Sequence, residues 1–273
     1  IITRKCENRS FFRRPELKHK TKVVYNRKIG AGFYRMRMKT SGDIGARPAQ
    51  FINIRVSENY KPLLRRPFSV FDAGRGYVEI VYKVIGEATK ILAEKKAGDV
   101  IDFIGPLGNS YLDFINPVNP PKNLILIGGG TGIASVHYLA KYLKGKKIKF
   151  ILMQGARSGD MVILRDKLEK MGCLFSTEDG SCGVKGFVTE LLKKKLKPES
   201  VIMACGPEGM VKAVKKEGRR VKNVKVFASL EAYMGCGIGA CISCVVPVGS
   251  RKNFEYKRVC KEGTVFDVKD VLF

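Results

Sequence analysis

At 273 residues, with 45% hydrophobic and 28% charged residues, the chain has a globular composition and room for about two domains with real cores, which excludes a disordered, a fibrous or a staple-dependent small protein. Lys and Arg number 51 against 25 acids, a formal charge of +26, which draws the protein toward anionic partners without naming one. The basic residues are scattered, as at Lys193, Lys194, Lys195, Lys215, Lys216, Arg219 and Arg220, so they read as a solvated surface and not as a nucleic-acid-binding stripe.

In chain order, residues 1–20 are basic and lack the apolar centre of a secretory signal, so they read as an N-terminal arm; the chain opens on Ile1 with no starting Met, as a fragment does. From Thr21 the pattern has period two. Tyr34, Met36 and Met38 alternate with Arg35, Arg37 and Lys39, and Ile52, Ile54 and Val56 alternate with Asn53 and Arg55, the mark of half-buried strands. Further runs at 77–84 and 100–104, set apart by Gly and Pro, predict a small antiparallel barrel over 21–118 with one short helix at 88–94.

Asn119-Pro120-Pro121 reads as a linker. Beyond it, apolar runs at 124–127, 148–153, 174–176, 201–204 and 224–228 alternate with helical periodicity, in which Ile133, Val136, Ala140 and Leu143 share one face and Val188, Leu191, Leu192 and Leu196 another. Alternation of this kind predicts a doubly wound parallel sheet over 119–228. A Cys-rich unit, 229–273, follows. Uncharged windows at 123–140 and 232–250 reach membrane-spanning length, but each holds four glycines, and no membrane segment is expected.

Four of the eight cysteines lie in that last unit, as Cys236, Cys241 and Cys244 in C-x4-C-x2-C spacing, with Cys260 after fifteen intervening residues. Four thiolates around a compact [2Fe-2S] core use this plant-type ferredoxin arrangement, and Gly237 and Gly239 let the backbone wrap closely. Structural zinc is the alternative, but it takes C-x2-4-C pairs, and here the second half supplies one Cys. Cys6, Cys173 and Cys182 read as strand or loop thiols; Cys205, before Gly206-Pro207 at a strand end, is placed to face a ligand.

Arg66-Pro67-Phe68-Ser69 opens a barrel strand, where an arginine can fork onto a pyrophosphate and a serine can reach a flavin ring nitrogen. The loop Gly128-Gly129-Gly130-Thr131-Gly132-Ile133 sits between a strand and a helix, so its amides suit a phosphate or the close approach of a nicotinamide. It is not G-x-G-x-x-G, and no acid ends the second strand; Arg157 there suits a 2'-phosphate, which leaves NAD and NADP both open.

Together with Val81-Tyr82-Lys83-Val84-Ile85-Gly86, Thr89, Gly105-Pro106-Leu107-Gly108-Asn109, Gly155-Ala156-Arg157, Cys205-Gly206-Pro207, the Cys236 run and the ending around Cys260, these motifs resemble the electron-transfer subunits of type B dihydroorotate dehydrogenase, in the ferredoxin-NADP reductase superfamily. The resemblance covers about Thr21 to the C-terminus. It implies an FAD-binding β-barrel domain, an NAD(P)-binding α/β domain and a small C-terminal [2Fe-2S] domain. FAD would be held by Arg66, Pro67, Phe68, Ser69, Val81, Tyr82, Lys83, Ala88 and Thr89, with Ala88 where the family usually has Gly; NAD(H) would be the co-substrate, at Gly129, Gly130 and Cys205. The cluster ligands would be Cys236, Cys241, Cys244 and Cys260. The implied partner is an FMN-containing dihydroorotate dehydrogenase catalytic subunit, in a heterotetramer of two of each. Electrons would pass from FMN through [2Fe-2S] and FAD to NAD(+), in cytoplasmic pyrimidine biosynthesis.

No acid or base for dihydroorotate oxidation is found here, since His19 and His137 read as surface or satisfied histidines. Two other readings stand beside this one. A related flavin/iron-sulfur reductase subunit, of sulfide dehydrogenase or transhydrogenase type, tends to carry Asp where Cys236 stands. A basic metal-containing nucleic-acid-binding protein would be colourless and would bind DNA with steep salt dependence.

Overall fold

A computed structural model describes residues 17–273. Strands β1 (Lys18–Gly30), β2 (Phe33–Lys39), β3 (Phe51–Arg55), β4 (Arg66–Gly74), β5 (Tyr77–Lys83) and β6 (Val100–Leu107) close an antiparallel barrel in the order β1-β2-β5-β4-β3-β6. Alternation builds it: Met36, Met38, Ile52, Ile54, Val70, Val78 and Ile80 point inward with no exposure, and helix α1 (Glu87–Glu94) lays Leu92 into the same core. The first strand starts at Lys18, inside the expected arm, because Lys18, His19 and Lys20 pair with Ile104, Phe103 and Asp102 of β6. The rest of that arm, with Cys6, lies outside the described residues.

The second unit is a seven-stranded sheet in the order β10-β9-β8-β7-β11-β12-β15, comprising β7 (Leu124–Gly129), β8 (Ile151–Ala156), β9 (Leu174–Thr177), β10 (Val184–Lys185), β11 (Val201–Cys205), β12 (Lys225–Ser229) and β15 (Val265–Asp267). All pairings are parallel except β12 with β15. The five predicted runs are β7, β8, β9, β11 and β12. The two edge strands were not predicted: β10 has two residues, too few for a periodic signal, and β15 comes from the Cys-rich unit, which is thereby stitched to the sheet.

Helix α2 (Ile133–Gly145) packs one face of the sheet, where Val136, Leu139 and Ala140 share a core with Phe33, Phe71 and Val81 of the barrel and with Leu168 of α3 (Arg165–Glu169). On the other face, α4 (Val188–Lys195) and α5 (Glu208–Gly218) cover Ile125, Met153 and Ile202. The order in which successive strands are added reverses between the parallel neighbours β7 and β11, and in such folds ligands bind at that reversal, beyond the carboxyl ends of the strands. The last unit carries the hairpin β13 (Val245–Ser250) and β14 (Asn253–Arg258).

Candidate functional site

Two clefts open where the three units meet. The first, about 640 Å³, is lined by Arg66, Pro67, Phe68 and Ser69 at the start of β4, Val81, Tyr82 and Lys83 at the end of β5, and Ala88 and Thr89 of α1, so the nine residues expected around a flavin stand along one cavity. Tyr82 is pinned by its hydroxyl to Asn26 Oδ1 at 2.9 Å, and burial pushes its phenol above the ordinary range. Thr89 is the N3 residue of α1, and its hydroxyl accepts from the Ile85 and Gly86 amides at 3.0 and 3.1 Å and donates to the Gly86 carbonyl. That hydroxyl is therefore spent on shaping the turn, and the helix N-terminus itself is what the turn offers to a phosphate.

The far wall of this cleft comes from the C-terminal unit: Ser229, Leu230, Glu231, Ala232, Tyr233 and Met234 line it. Cys236 follows two residues later.

The second cleft, about 800 Å³, lies at the strand reversal and is lined by Gly129, Gly130, Gly155, Arg157, Glu178 and Gly206, among others. Gly132 is obligatory beside it, because a Cβ there would fall 2.3 Å from the Cys205 carbonyl oxygen. Lys83, Thr131 and Glu231 line both clefts, which are thus adjoining chambers.

Cys205 departs from its expected place. It is 1% exposed and lines neither cleft; at the end of β11 its side chain turns into the core beside Tyr111, Ser135 and Ser229, and burial raises its thiol far above the ordinary range. Gly206 and Pro207 face the second cleft in its stead.

The four C-terminal cysteines come together as two pairs. Cys236 Sγ accepts from the Cys241 amide at 3.3 Å; that amide, with those of Ile238 and Ala240, brings the Cys236 thiol down to about 6. Gly237 and Gly239 take positive φ of 69° and 85°, which is what turns those amides toward sulfur. Cys244 just precedes β13 and Cys260 follows β14, so the hairpin closes the fifteen-residue gap: Val245 pairs with Arg258, and the Val259 amide donates to the Cys244 carbonyl at 2.8 Å. Both thiols are buried, and burial together with the Cys244 neighbour pushes Cys260 up to about 12. Among the described residues, no three His, Cys, Asp or Glu side chains gather around one point as ligands of a single ion do. Two pairs fit a dinuclear core with two thiolates per iron better than a zinc site, in which four sulfurs crowd one ion.

Comparison with known proteins decides the family. Residues 231–272 match the iron-sulfur cluster binding domain of dihydroorotate dehydrogenase B, residues 126–216 an oxidoreductase NAD-binding domain and residues 16–111 an oxidoreductase FAD-binding domain. The dihydroorotate dehydrogenase B (NAD(+)) electron transfer subunit of Caldanaerobacter subterraneus subsp. tengcongensis is 38% identical over 94% of this chain and 99% of its own, and that of Fusobacterium nucleatum is 38% identical over 91% and 96%. The chain belongs to the electron-transfer subunits of dihydroorotate dehydrogenase B. A solved structure of an NADH-dependent reduced ferredoxin-NADP oxidoreductase, studied for flavin-based electron bifurcation, superposes with TM-score 0.77 at 32% identity, covering 92% of this chain and 89% of that one. The cytochrome b5 reductase domain of Ulva prolifera nitrate reductase, at TM-score 0.62 and 19% identity over 75% of this chain and 95% of its own, shares the fold.

As an electron-transfer subunit of this family, the chain has its FAD-binding, NAD-binding and iron-sulfur-binding domains in sequence. Neither histidine lines a cleft. His19 stacks on Phe103 with its Nε2 3.1 Å from the Gly105 carbonyl, and His137 stacks on Phe71, where burial and then Lys167 bring its imidazole down to about 4. Glu231 was missed by sequence reasoning. It is solvent-exposed where the two chambers join, and the protein around it raises its carboxyl above the ordinary range. Its signal was a lone acid between Leu230 and Ala232, five residues before the first clustered cysteine. Among the described residues, no helix is long and apolar enough to cross a membrane.

Proposed function

We propose that this chain is the electron-transfer subunit of an NAD(+)-dependent dihydroorotate dehydrogenase in pyrimidine biosynthesis, linking an FMN-containing catalytic subunit to NAD(+). One observation carries the reading: the flavin-type cleft shares Lys83, Thr131 and Glu231 with the nucleotide cleft on one side, and on the other its wall runs through Met234 into the Cys236 loop. The three binding places stand in series.

Arg66 and Ser69 would hold FAD, the guanidinium suiting its pyrophosphate and the hydroxyl its ring, with Pro67, Phe68, Val81, Tyr82 and Lys83 lining the same cleft, and Ala88, 8% exposed at the start of α1, would still let a phosphate reach the helix amides. Cys236 with Cys241, and Cys244 with Cys260, hold a [2Fe-2S] cluster, and the Cys241, Ile238 and Ala240 amides keep the first of them ready as thiolate. Gly129, Gly130 and Gly206 let a nicotinamide nucleotide lie close against the backbone at the strand reversal. When bound, the flavin supplies two-electron exchange with the nicotinamide and one-electron exchange with the iron-sulfur group. The chain's own part is to hold these groups in line and to keep bulk water from the junction with Phe33, Phe51 and Phe68, which line the chambers.

The partner is the FMN-containing catalytic subunit, which supplies the dihydroorotate chemistry, in an assembly of two chains of each kind. Among the described residues seven cysteines are free, which suits a reducing compartment, the cytoplasm. We keep the unit boundaries read from sequence as part of this proposal, with the barrel begun at Lys18, where β1 starts. The test is a division of labour. The purified chain oxidises NADH with ferricyanide and fails on dihydroorotate, and adding the FMN subunit restores dihydroorotate-to-NAD(+) turnover. Dihydroorotate oxidation by the lone chain sinks the reading.

A further inference from the structure

Asn53 sits in the middle of β3, where the alternating pattern points it outward among Ile52, Ile54 and Val56. Yet it is fully buried. The cover is the cysteine loop: Asn53 Nδ2 donates to the Cys236 carbonyl at 3.2 Å. On the other side, Asn53 stands opposite Pro67 in the β3–β4 ladder, so the same residue touches the strand that carries Arg66-Pro67-Phe68-Ser69.

The loop is shaped to receive this side chain. Gly237 has φ of 69°, and a Cβ on it would lie 2.3 Å from Asn53 Nδ2. No residue but glycine leaves room for the carboxamide there. Other ties of the cluster unit are of another kind. Arg258 Nη1 donates to the Gly239 carbonyl at 2.6 Å, but Arg258 belongs to the cluster unit itself and is gripped by Glu262. Asn109 of the Gly105-Pro106-Leu107-Gly108-Asn109 motif reaches across from the barrel, accepting from the Val265 amide at 2.7 Å and donating to its carbonyl at 2.9 Å, beyond the last cysteine. Asn53 alone among these ties joins the flavin-cleft strand to the peptide of a ligand residue.

We infer that Asn53 is a positioning residue for electron transfer between flavin and cluster: its carboxamide fixes the Cys236 peptide against β4, and so fixes the separation across which single electrons pass. This rests on the reading of the cysteine quartet as the cluster site. Electron tunnelling falls exponentially with distance, and outer hydrogen bonds also tune the potential of a ligated cluster, so a loosened Cys236 peptide changes both rate and potential.

The experiment uses the full chain carrying both cofactors, as wild type, Asn53→Leu, which keeps the volume and removes the donor, and Asn53→Ser, which draws the donor back from the Cys236 carbonyl and leaves the cysteine loop's own sequence unchanged. Iron and FAD content, NADH–ferricyanide rate, cluster midpoint potential, the paramagnetic spectrum of the reduced cluster and the rate of cluster reduction by NADH are measured. The expected result is FAD content and ferricyanide rate within about twofold of wild type, together with cluster reduction slowed about ten- to hundredfold and a changed potential and spectrum. Where Asn53→Leu fails to assemble, Asn53→Ser, which leaves the Gly237 turn untouched, decides alone. Full cluster content with wild-type rate, potential and spectrum overturns the proposal. A wild-type chain that holds no iron and gives no paramagnetic signal after dithionite instead overturns the cysteine reading, and the proposal with it.

Discussion

Tyr111 donates its hydroxyl to the Ala204 carbonyl at 2.8 Å from a fully buried position, which ties the turn that follows the barrel to the last residues of β11. Ala204 lies two residues before Gly206, on the wall of the nucleotide cleft. Burial raises the phenol well above its ordinary range, so it remains a donor at any pH the protein tolerates. Tyr111→Phe removes one buried bond and should lower unfolding stability by about 1–2 kcal/mol in denaturant titration. FAD content should hold while the KM for NADH rises.

Arg157 looked suited to a 2'-phosphate, but the cleft sets Glu178 on the same wall, with the Glu178 amide donating to the Ala156 carbonyl at 3.2 Å and the Asp179 amide to that of Arg157 at 3.3 Å. A carboxylate held there repels a 2'-phosphate and suits a ribose hydroxyl. Glu178→Gln is expected to raise kcat/KM for NADPH about tenfold, roughly 1.4 kcal/mol, at low salt and to leave NADH within about twofold. An unchanged NADPH rate in steady-state assays removes Glu178 as the discriminator.

The barrel and the parallel sheet were legible because period two and period 3.6 follow directly from which faces are buried, as in Met36 and Met38 or Val136 and Ala140. Spacing singled out the four cysteines as candidate ligands, but not how they pair. What brings Cys260 to Cys244 is hairpin register, a contact that no local pattern encodes. Asn53 misled for the same reason: the residue that covers it lies 183 positions away. Cys205 failed differently, since a strand end predicts nearness to a ligand without telling which face the side chain takes.

At the junction of the chambers, Glu231 places a titrating carboxyl between the cleft proposed for the flavin and the one proposed for the nicotinamide. Its pKa is raised by the surrounding protein, so it takes up a proton at higher pH than a free carboxylate. In its ionised form it opposes negative charge arriving on the flavin. Glu231→Gln should therefore raise the flavin midpoint potential at pH values where this carboxyl is ionised and erase one acidic ionisation from the pH profile of flavin reduction by NADH, measured by stopped flow. A profile identical to wild type counts against a role for this carboxyl.

His137 packs from α2 against Phe71 of β4, with Lys167, Asp72 and Lys141 around it. Its folded value of about 4 lies below the ordinary 6.5, so the unfolded chain binds the proton first. Stability from this group is complete above about pH 6.5, falls as pH drops through the window and levels off near 4, a loss of about 3 kcal/mol at most. His137→Phe, which keeps the stack, should flatten that part of the curve in denaturant titrations from pH 7 to 4. Wild type and variant falling in parallel would falsify the assignment.

Glu79 has no exposed side-chain surface, yet it holds Arg35, Arg37 and the Tyr25 hydroxyl on the outside of β2 and β5. Burial alone would raise its pKa, but the Tyr25 hydroxyl and the two guanidinium groups outweigh it and hold the carboxyl below the ordinary 4.5. The stability this gives is present above about pH 4.5 and is lost as pH falls through the folded value. Glu79→Ala strands two arginines, one of them over the Phe71 ring at the barrel–sheet boundary, and should cost about 3–5 kcal/mol. Glu79→Gln keeps the shape and the Tyr25 contact and should cost less. The ordering of the two variants in chemical unfolding separates lost charge from lost packing: equal losses would mean that the carboxylate's charge is what joins these strands, and a loss confined to Ala that its volume is.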